Sequence, residues 1–432
     1  MPKVKSVQKS SKKEQLFQGI RGMPDILPKD QGLWKSIWQA GLAVSELHNF
    51  HFMETPGIEM AGLFEAAVGM STDIVEKQMY VFKTPGGDRV ALRPEGSAPI
   101  MRSYLEHHLG YFASPLKVFY YEPFFRHERS QAGRYRQFHQ WGFEIIGDGD
   151  PFYDGEIILA SLDFLKALKL KDLKVKINTM GCRVCRPTYR QRLKDYYRYR
   201  KNSLCSDCKR RYEKNPFRLL DCKEEECQAV KKNAPIILDY LCQNCNNHFK
   251  GVLELVEDNN VLYEPDPYLV RGLDYYNRTV FEIFSPVSDS SLGGGGRYDY
   301  LSEILGGRMI PAVGAAMGLE RIIEVLNIKE IKFQPKEKLR IFFAAVGETA
   351  KKKSLRLLQE LRAAGIITVE AIGRKSLRAQ LKAADKSGAA LTILVGQKEI
   401  FEGTLIIRDM QTGVQETVLL NKMVEEIKKR LK

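Results

Sequence analysis

The sequence predicts an α+β protein: a large domain built on an antiparallel sheet, a helical insertion within that domain, and a small α/β domain at the C-terminal end. Three observations lead there. Short strand-like runs divided by turn signals fill residues 50–150 and resume at 279–284. All eight cysteines fall between Cys182 and Cys245, in a basic stretch that reads as helical. Beyond Gln334 and Pro335, strand and helix patterns alternate, as in a compact α/β domain. At about 150 residues per domain, 432 residues leave room for all three.

Residues 1–15 read as a basic flexible tail with no apolar core of a secretory signal. The large domain is expected over 16–335. A helix starts near Pro28, where Pro-Lys-Asp precedes the periodic Leu33, Ile37, Trp38 and Leu42, and it ends around His48. Strands follow in VALRPEG, KVFYYEPFFRHER and RYRQFHQWGFEIIG, then a helix at 154–168 and the strand KVKIN at 174–178. Residues 182–262 are the helical Cys-rich insertion. SLGGGGRYD, 291–299, reads as a glycine-rich loop, and a helix spans 317–327. The last domain, 336–432, begins with the strand LRIFFAAVG and a helix at 351–364, then IITVEAIG, a helix at 376–387, the strand LTILVG, a hairpin and a closing helix.

Composition narrows the function. Hydrophobic residues are 44% and charged residues 28%, which excludes a disordered or fibrous chain. No apolar run approaches the ~18 residues that cross a membrane, so a cytoplasmic protein without a membrane partner is expected. The net charge is +14 and the pI near 9.2. Residues 182–218 carry 13 Lys/Arg against 3 Asp/Glu, and residues 336–432 carry 20 against 11. Two basic modules beside a slightly acidic remainder suit a phosphate-backbone partner.

The chemistry concentrates in FFRHERSQAGRYRQFHQWGFEIIG, 124–147. Two strands flank a loop. Alternation places Gln140 and Glu144 on one face with Gly142 between them, and Arg126 on the first strand shares that face. A carboxylate, an amide and a guanidinium on one platform can hold an amino acid and a phosphate together. His127 and His139 are expected to pack or bond rather than to act as bases. LVRGLDYYNRTVFEIF, 269–284, adds Arg271, Tyr275 and Tyr276, and ALRPEGSAPIMR, 91–102, sets Arg93 and Glu95 before a helix. The glycine run at 293–296 matches neither of the two common nucleotide-binding loops.

These segments resemble a known family. FRHER…RYRQFHQ..FE is similar to motif 2 of class II aminoacyl-tRNA synthetases, AVGAAMGLERI to motif 3, and ETPGIE, around Pro56, to the proline of motif 1. LVRGLDYYNRTVFE and GGGGRYD resemble the two signature peptides of the histidyl-tRNA synthetases, and LRPEG and GMSTDIVEKQMYVF agree. The final segment resembles the anticodon-binding domain of several class II enzymes.

The resemblance implies a class II fold with a six- or seven-stranded antiparallel sheet and a homodimer. It implies activation of L-histidine by ATP with Mg²⁺, then transfer to tRNA(His), without a DNA partner. Arg126, Arg271 and Arg321 would be catalytic. Glu95, Arg126, Gln140, Glu144, Arg271, Tyr275 and Tyr276 would bind histidine. Arg126, Glu128 and Arg321 would bind ATP, and Arg129 and Gln131 would meet the tRNA acceptor end. Three other readings compete: a synthetase-like regulatory subunit that binds histidine without charging tRNA, a nucleic-acid binder with a dead site, and another class II synthetase such as the threonyl or prolyl type. The anticodon domain, Arg126 and Arg321 oppose the first. Intact Glu95, Gln140, Glu144 and Arg271 oppose the second, and RGLDYY opposes the third.

The cysteines form the pairs Cys182/Cys185, Cys205/Cys208, Cys222/Cys227 and Cys242/Cys245. Such spacing without an export signal points to structural Zn²⁺ or to a set of reduced, buried thiols rather than to disulfides; zinc would depart from the family's general pattern. Eight thiolates suffice for two ions. One site is expected to join 205/208 with 242/245, with His248 as a substitute ligand.

Overall fold

The computed structural model describes residues 17–129, 131, 133–333, 340–373 and 376–431. The tail at 1–15 lies outside them. The chain divides into two compact units, Met1–Phe333 and Gln334–Lys432.

The first unit is organised by an eight-stranded sheet. In chain order its helices and strands begin with α1 (Gln31–Leu47), β1 (His51–Phe52), β2 (Ile58–Met60), α2 (Ala61–Val68), β3 (Val81–Lys83), β4 (Arg89–Leu92) and α3 (Ser97–Glu106). The long hairpin β5 (Leu116–Phe125) and β6 (Gln137–Ile146) follows, then α4 (Pro151–Ala167) and β7 (Lys174–Thr179). After the insertion come β8 (Tyr263–Pro265), β9 (Asn277–Phe284), β10 (Gly293–Arg297), α9 (Leu301–Ile304), β11 (Ala312–Gly318) and α10 (Leu319–Ile328). The sheet order is β1-β5-β6-β11-β10-β9-β7-β8. Six antiparallel strands form its centre, and the short edge strands β1 and β8 pair in parallel. The sheet is thus wider than the six or seven strands expected, because the two edge strands are too short to carry a periodic signal. Strands β2, β4 and β3 form a second small sheet.

Period-two alternation gives the large sheet two different faces. One carries Phe119, Trp141, Phe143, Ile145, Phe281, Ile283 and Met317, which pack with α4 and α10 residues in a dry core. The opposite face holds the site.

Gly293–Arg297 corrects the loop reading of SLGGGGRYD. Glycine is a poor strand former, yet here it sits between β9 and β11, with Gly294 opposite both Glu282 and Ala316. A Cβ on Gly295 would come within 1.9 Å of the Gly314 carbonyl oxygen, and one on Gly296 within 2.4 Å of the Thr279 carbonyl oxygen. The neighbouring backbones lie too close for any other residue. AVGAAMG is likewise a strand, and α10 begins only at Leu319.

The insertion contains α5 (Cys185–Arg198), α6 (Ser206–Lys214), α7 (Glu225–Lys231) and α8 (Gln243–Asp258). Its core is small, built from Tyr189, Leu193, Tyr197, Phe217 and Leu219. His248, on α8, bonds Asp154 through Nε2 at 3.3 Å and is no substitute for a cysteine. The second unit runs β12 (Arg340–Ala345), α11 (Glu348–Ala363), β13 (Ile367–Glu370), α12 (Leu377–Lys386), β14 (Leu391–Val395), α13 (Gln397–Glu402), β15 (Thr404–Asp409), β16 (Gln415–Leu419) and α14 (Met423–Arg430). Its sheet order is β13-β12-β14-β15-β16. The one-turn-long α13 escaped the sequence reading because a six-residue helix shows almost no 3.6 period.

Candidate active site

The floor of the site is nearly bare of side chains. Across the middle strands, the face opposite the dry core presents Gly142 of β6, Gly314, Ala316 and Gly318 of β11, and Gly294 of β10, aligned by the ladder register. A ligand can therefore lie against the backbone itself. The bare floor also seats the large groups around it. A Cβ on Gly142 would fall 2.0 Å from Cζ of Tyr120, and one on Gly314 only 1.6 Å from Oε2 of Glu144.

A cavity of about 940 Å³ opens above this floor. Arg126, Glu128, Gln140, Arg271, Glu282 and Arg321 line it, so five residues expected from the sequence meet here. Arg126 emerges just past β5. Its Nε donates to the Pro94 carbonyl at 2.8 Å and its guanidinium lies over the Phe138 ring at 5.2 Å. Arg321 donates to the carbonyls of Gly133 at 3.1 Å and Ser291 at 2.9 Å. Burial pushes the pKa of both arginines below its ordinary value; for a guanidinium this leaves the charge in place. Arg271 is ion-paired to Glu282 through Nη1. Its Nε is buried and makes no hydrogen bond with the described residues, so the guanidinium keeps donor capacity for an anion.

Beneath the cavity lies a buried polar cluster. Glu144 accepts from Ser97 Oγ at 2.7 Å and from the Tyr298 hydroxyl. Burial pushes its pKa up to about 8, with Glu95 adding repulsion and the hydroxyl donors opposing. Glu95 caps α3: its carboxylate accepts from the backbone N–H of Ser97 at 2.9 Å and of Ala98 at 3.0 Å. Tyr275 donates to Glu95 at 3.0 Å. The rings of Tyr275 and Tyr276 lie 4.7 Å apart, and both contact Tyr298. Tyr275 and Tyr276 are thus buried together, with Tyr275 tied to the Glu95 cap.

Arg129 and Gln131 sit exposed in the turn between β5 and β6, outside the cavity. His139 bonds Glu320 through Nδ1 at 2.9 Å, and His127 packs against Tyr80; neither stands where a base would act. Sequence reasoning missed Glu282, Tyr120, Ser97 and Tyr298. It also missed Arg297, fully buried, which bonds Asp154, Asp299 and the carbonyls of Asp148 and Asp150. Burial would raise the Asp154 carboxyl, but Arg297 and His248 hold it down to about 2. The signal was in GGGGRYD, where Arg297 and Asp299 anchor the strand and Tyr298 reaches Glu144.

Replacing Gly314 with alanine drives a methyl group into the Glu144 carboxylate. We expect the thermal midpoint of Gly314→Ala to fall by several degrees, since overpacking a buried site costs about 1–3 kcal/mol. Thermal melting checks this, and a melt that matches the native chain's would show that the floor absorbs the methyl group.

The cysteines are not paired as expected. They meet as Cys182, Cys185, Cys242 and Cys245, and as Cys205, Cys208, Cys222 and Cys227. Spacing alone does not reveal which pairs the fold brings together.

Residues 80–353 match the family model described as the tRNA synthetase class II core domain (G, H, P, S and T), and residues 340–430 match an anticodon binding domain. Among curated proteins, a histidine–tRNA ligase of Dehalococcoides mccartyi strain 195 is 44% identical over 418 residues, covering 96% of this chain and 100% of that protein. One from Halothermothrix orenii is 44% identical over 412 residues, covering 95% and 98%. Among solved structures, the apo histidyl-tRNA synthetase of S. aureus aligns with a TM-score of 0.79 at 33% identity, covering 96% of this chain and 100% of that one. A Bacillus halodurans chain titled as an ATP phosphoribosyltransferase regulatory subunit/histidyl-tRNA synthetase aligns with a TM-score of 0.62 at 22% identity, a likeness of fold alone.

Proposed function

This chain belongs to the histidine–tRNA ligases of the class II aminoacyl-tRNA synthetases, and we propose that the arginine-rimmed cavity is where it joins histidine to ATP and passes the amino acid to tRNA(His). The observation that carries this reading is the convergence of Arg126, Arg271 and Arg321 over a glycine and alanine floor, beside the buried carboxyl of Glu144.

A carboxylate oxygen of histidine attacks the α-phosphorus of ATP. A carboxyl–phosphate bond forms, the α–β anhydride bond breaks, and pyrophosphate leaves. A terminal ribose hydroxyl of the tRNA then attacks the carbonyl carbon and AMP departs. The obstacle in the first step is bringing two anions together while charge builds on phosphorus. Fixed cations in a water-poor site lower that barrier without reorganising. Arg271 and Arg126 flank the reacting carboxylate and α-phosphate, and Arg321 holds the distal phosphates. Glu282 keeps the Arg271 guanidinium in place.

Glu144 and Tyr276 face the imidazole, whose two nitrogens match a polar pocket. Glu95, Gln140 and Tyr275 hold the α-amino group. Mg²⁺ entering with ATP would supply further charge neutralisation, and Glu128, which lines the cavity beside Arg126, would offer it a hard oxygen donor.

Arg129 and Gln131 meet the acceptor end of the tRNA. A groove lined by Arg183, Arg186, Arg190, Lys194 and Lys214 supports a wider RNA contact by the insertion. The exposed Phe52, Ile58, Met60, Val81 and Phe82 near the motif 1 proline support a homodimer. A sedimentation mass near that of the 49.4 kDa chain itself, rather than twice it, would refute dimerisation. The cytoplasm, where ATP and tRNA meet, is the expected location.

The regulatory alternative has weaker support: Arg126, Arg321 and an anticodon-binding domain are all present. Charging of unmodified tRNA(His) transcript with labelled histidine tests the proposal. Histidine binding with no aminoacyl-tRNA formed would favour the regulatory subunit.

A further inference from the structure

All eight cysteines of the insertion are free thiols, and they converge in two quartets with every sulfur within 4.8 Å of the others in its set. Cys182 Sγ lies 3.7 Å from that of Cys185 and 3.8 Å from that of Cys242; Cys205 and Cys222 are also 3.8 Å apart. Sulfurs joined as a disulfide sit about 2 Å apart. Four thiolates at about 2.3 Å around a tetrahedral ion are spaced by about 3.8 Å.

Backbone donors already aim at the sulfurs. Val184 N–H reaches Cys182 at 3.4 Å, Cys242 N–H reaches Cys185 at 3.1 Å, Cys208 N–H reaches Cys205 at 3.4 Å, and Cys205 N–H reaches Cys227 at 3.3 Å. Such bonds favour the charged ligand form and fix its direction. Tetrahedral four-sulfur sets of this kind suit zinc or iron, and closed structural sites of four cysteines are typical of zinc.

We propose that the insertion holds two zinc ions with different tasks: one closes the insertion, and the other positions the catalytic arginine loop. The second task rests on the ligase reading above; the metal sites do not. The closing site joins the entry of α5 (Cys182, Cys185) to the start of α8 (Cys242, Cys245), so the helices between leave from and return to one ion. Closing a long excursion removes unfolded-chain entropy that a small core cannot offset.

The positioning site brackets residues 209–221, with Cys205 and Cys208 before and Cys222 and Cys227 after. That short segment makes several of the insertion's contacts with the rest of the unit, beside others such as the bond from Arg186 to the Tyr276 carbonyl at 3.0 Å. Arg211 pairs with Asp73 at 2.6 Å, and Lys214 with Glu76 at 2.6 Å. Arg218, only 4% exposed, donates to the backbone carbonyl of Arg271 at 3.1 Å. Cys205 and Cys222 themselves line the cavity. The segment buries Tyr212, Phe217, Leu219 and Leu220, and a cross-link at its base would fix the direction in which Arg218 leaves it.

The test uses the full chain, purified under reductant with no added metal. Elemental analysis is expected to find about two equivalents of zinc, and less than about a tenth of an equivalent would overturn both sites. Exchange into cobalt gives a second readout that does not depend on variants: strong visible bands of tetrahedral cobalt thiolate are expected, and their absence would overturn a four-sulfur site. Cys227→Ser is expected to lose one equivalent, to keep the remaining zinc, and to lower kcat for histidine-dependent pyrophosphate exchange at least tenfold, with the histidine KM within about threefold. Cys227→His, which keeps a zinc ligand, is expected to retain both zinc and rate. Full kcat in a protein that has lost that zinc would overturn the positioning role. A native chain with two zinc ions but no exchange would refute the ligase reading and leave the metal sites standing.

Discussion

Arg271→Ala is expected to lower histidine-dependent adenylate formation by about a thousandfold while the protein still folds. The magnitude follows from the role: an arginine that stabilises charge developing on a transferring phosphoryl group is worth about 10³ to 10⁵ in rate. The lower end is appropriate because Arg126 and Arg321 would share the proposed task. The fold is expected to survive because the contact that Arg218 makes is to the Arg271 backbone carbonyl, not to its side chain. The variant does strand Glu282, its ion-pair partner, but Glu282 faces an open cavity where water can solvate it. Arg271→Lys keeps the charge and loses the rigid fork, so a partial rate is expected. Pyrophosphate exchange alongside thermal melting checks both parts, and a normal exchange rate in Arg271→Ala would remove the catalytic assignment.

Glu144→Gln is expected to raise the histidine KM by ten- to a hundredfold and to leave the ATP KM within about twofold. The amide preserves the size and the Ser97 bond but cannot become an anion opposite an imidazole. Sites that pair buried polar groups with a ligand lose most when one pairing fails.

The same substitution has a signature in stability. The Glu144 carboxyl titrates near 8 in the fold because burial penalises its charged form, against about 4.3 in an unfolded chain. Between those values the native protein holds a proton that the unfolded chain has released. Stability contributed by this group is therefore full below the unfolded value and is lost as pH rises through the folded value. Urea melts of the native chain at pH 5.5, 7 and 8.5 are expected to show that decline, and Glu144→Gln is expected to flatten it. Parallel pH profiles for the two proteins would contradict the assignment.

Much of the site was legible because its signals are local. Strand alternation is a property of neighbouring residues, so Gln140, Gly142 and Glu144 could be set on one face from sequence alone. Tyr275 and Tyr276 adjoin in sequence and are buried together. What escaped depends on partners far along the chain. Glu282 is an ordinary charge in TVFEIF until the ladder register places it opposite Gly294 and within reach of Arg271. The glycines of β10 carry no strand preference; β9 and β11 impose it on them. The cysteine spacing marked out the pairs, but which pairs meet in a quartet depends on residues far along the chain. The motif resemblance supplied the roles that geometry cannot name, such as which arginine meets which phosphate.

The most direct test of the whole account is exchange of labelled pyrophosphate into ATP with each of the twenty amino acids. It reads the first chemical step alone and needs no tRNA. Exchange with histidine and with none of the other nineteen is the predicted result, because it requires both the arginine-rimmed cavity and the Glu144 pocket to work as described. Absence of exchange with histidine, in a protein that binds histidine by calorimetry, would contradict the account.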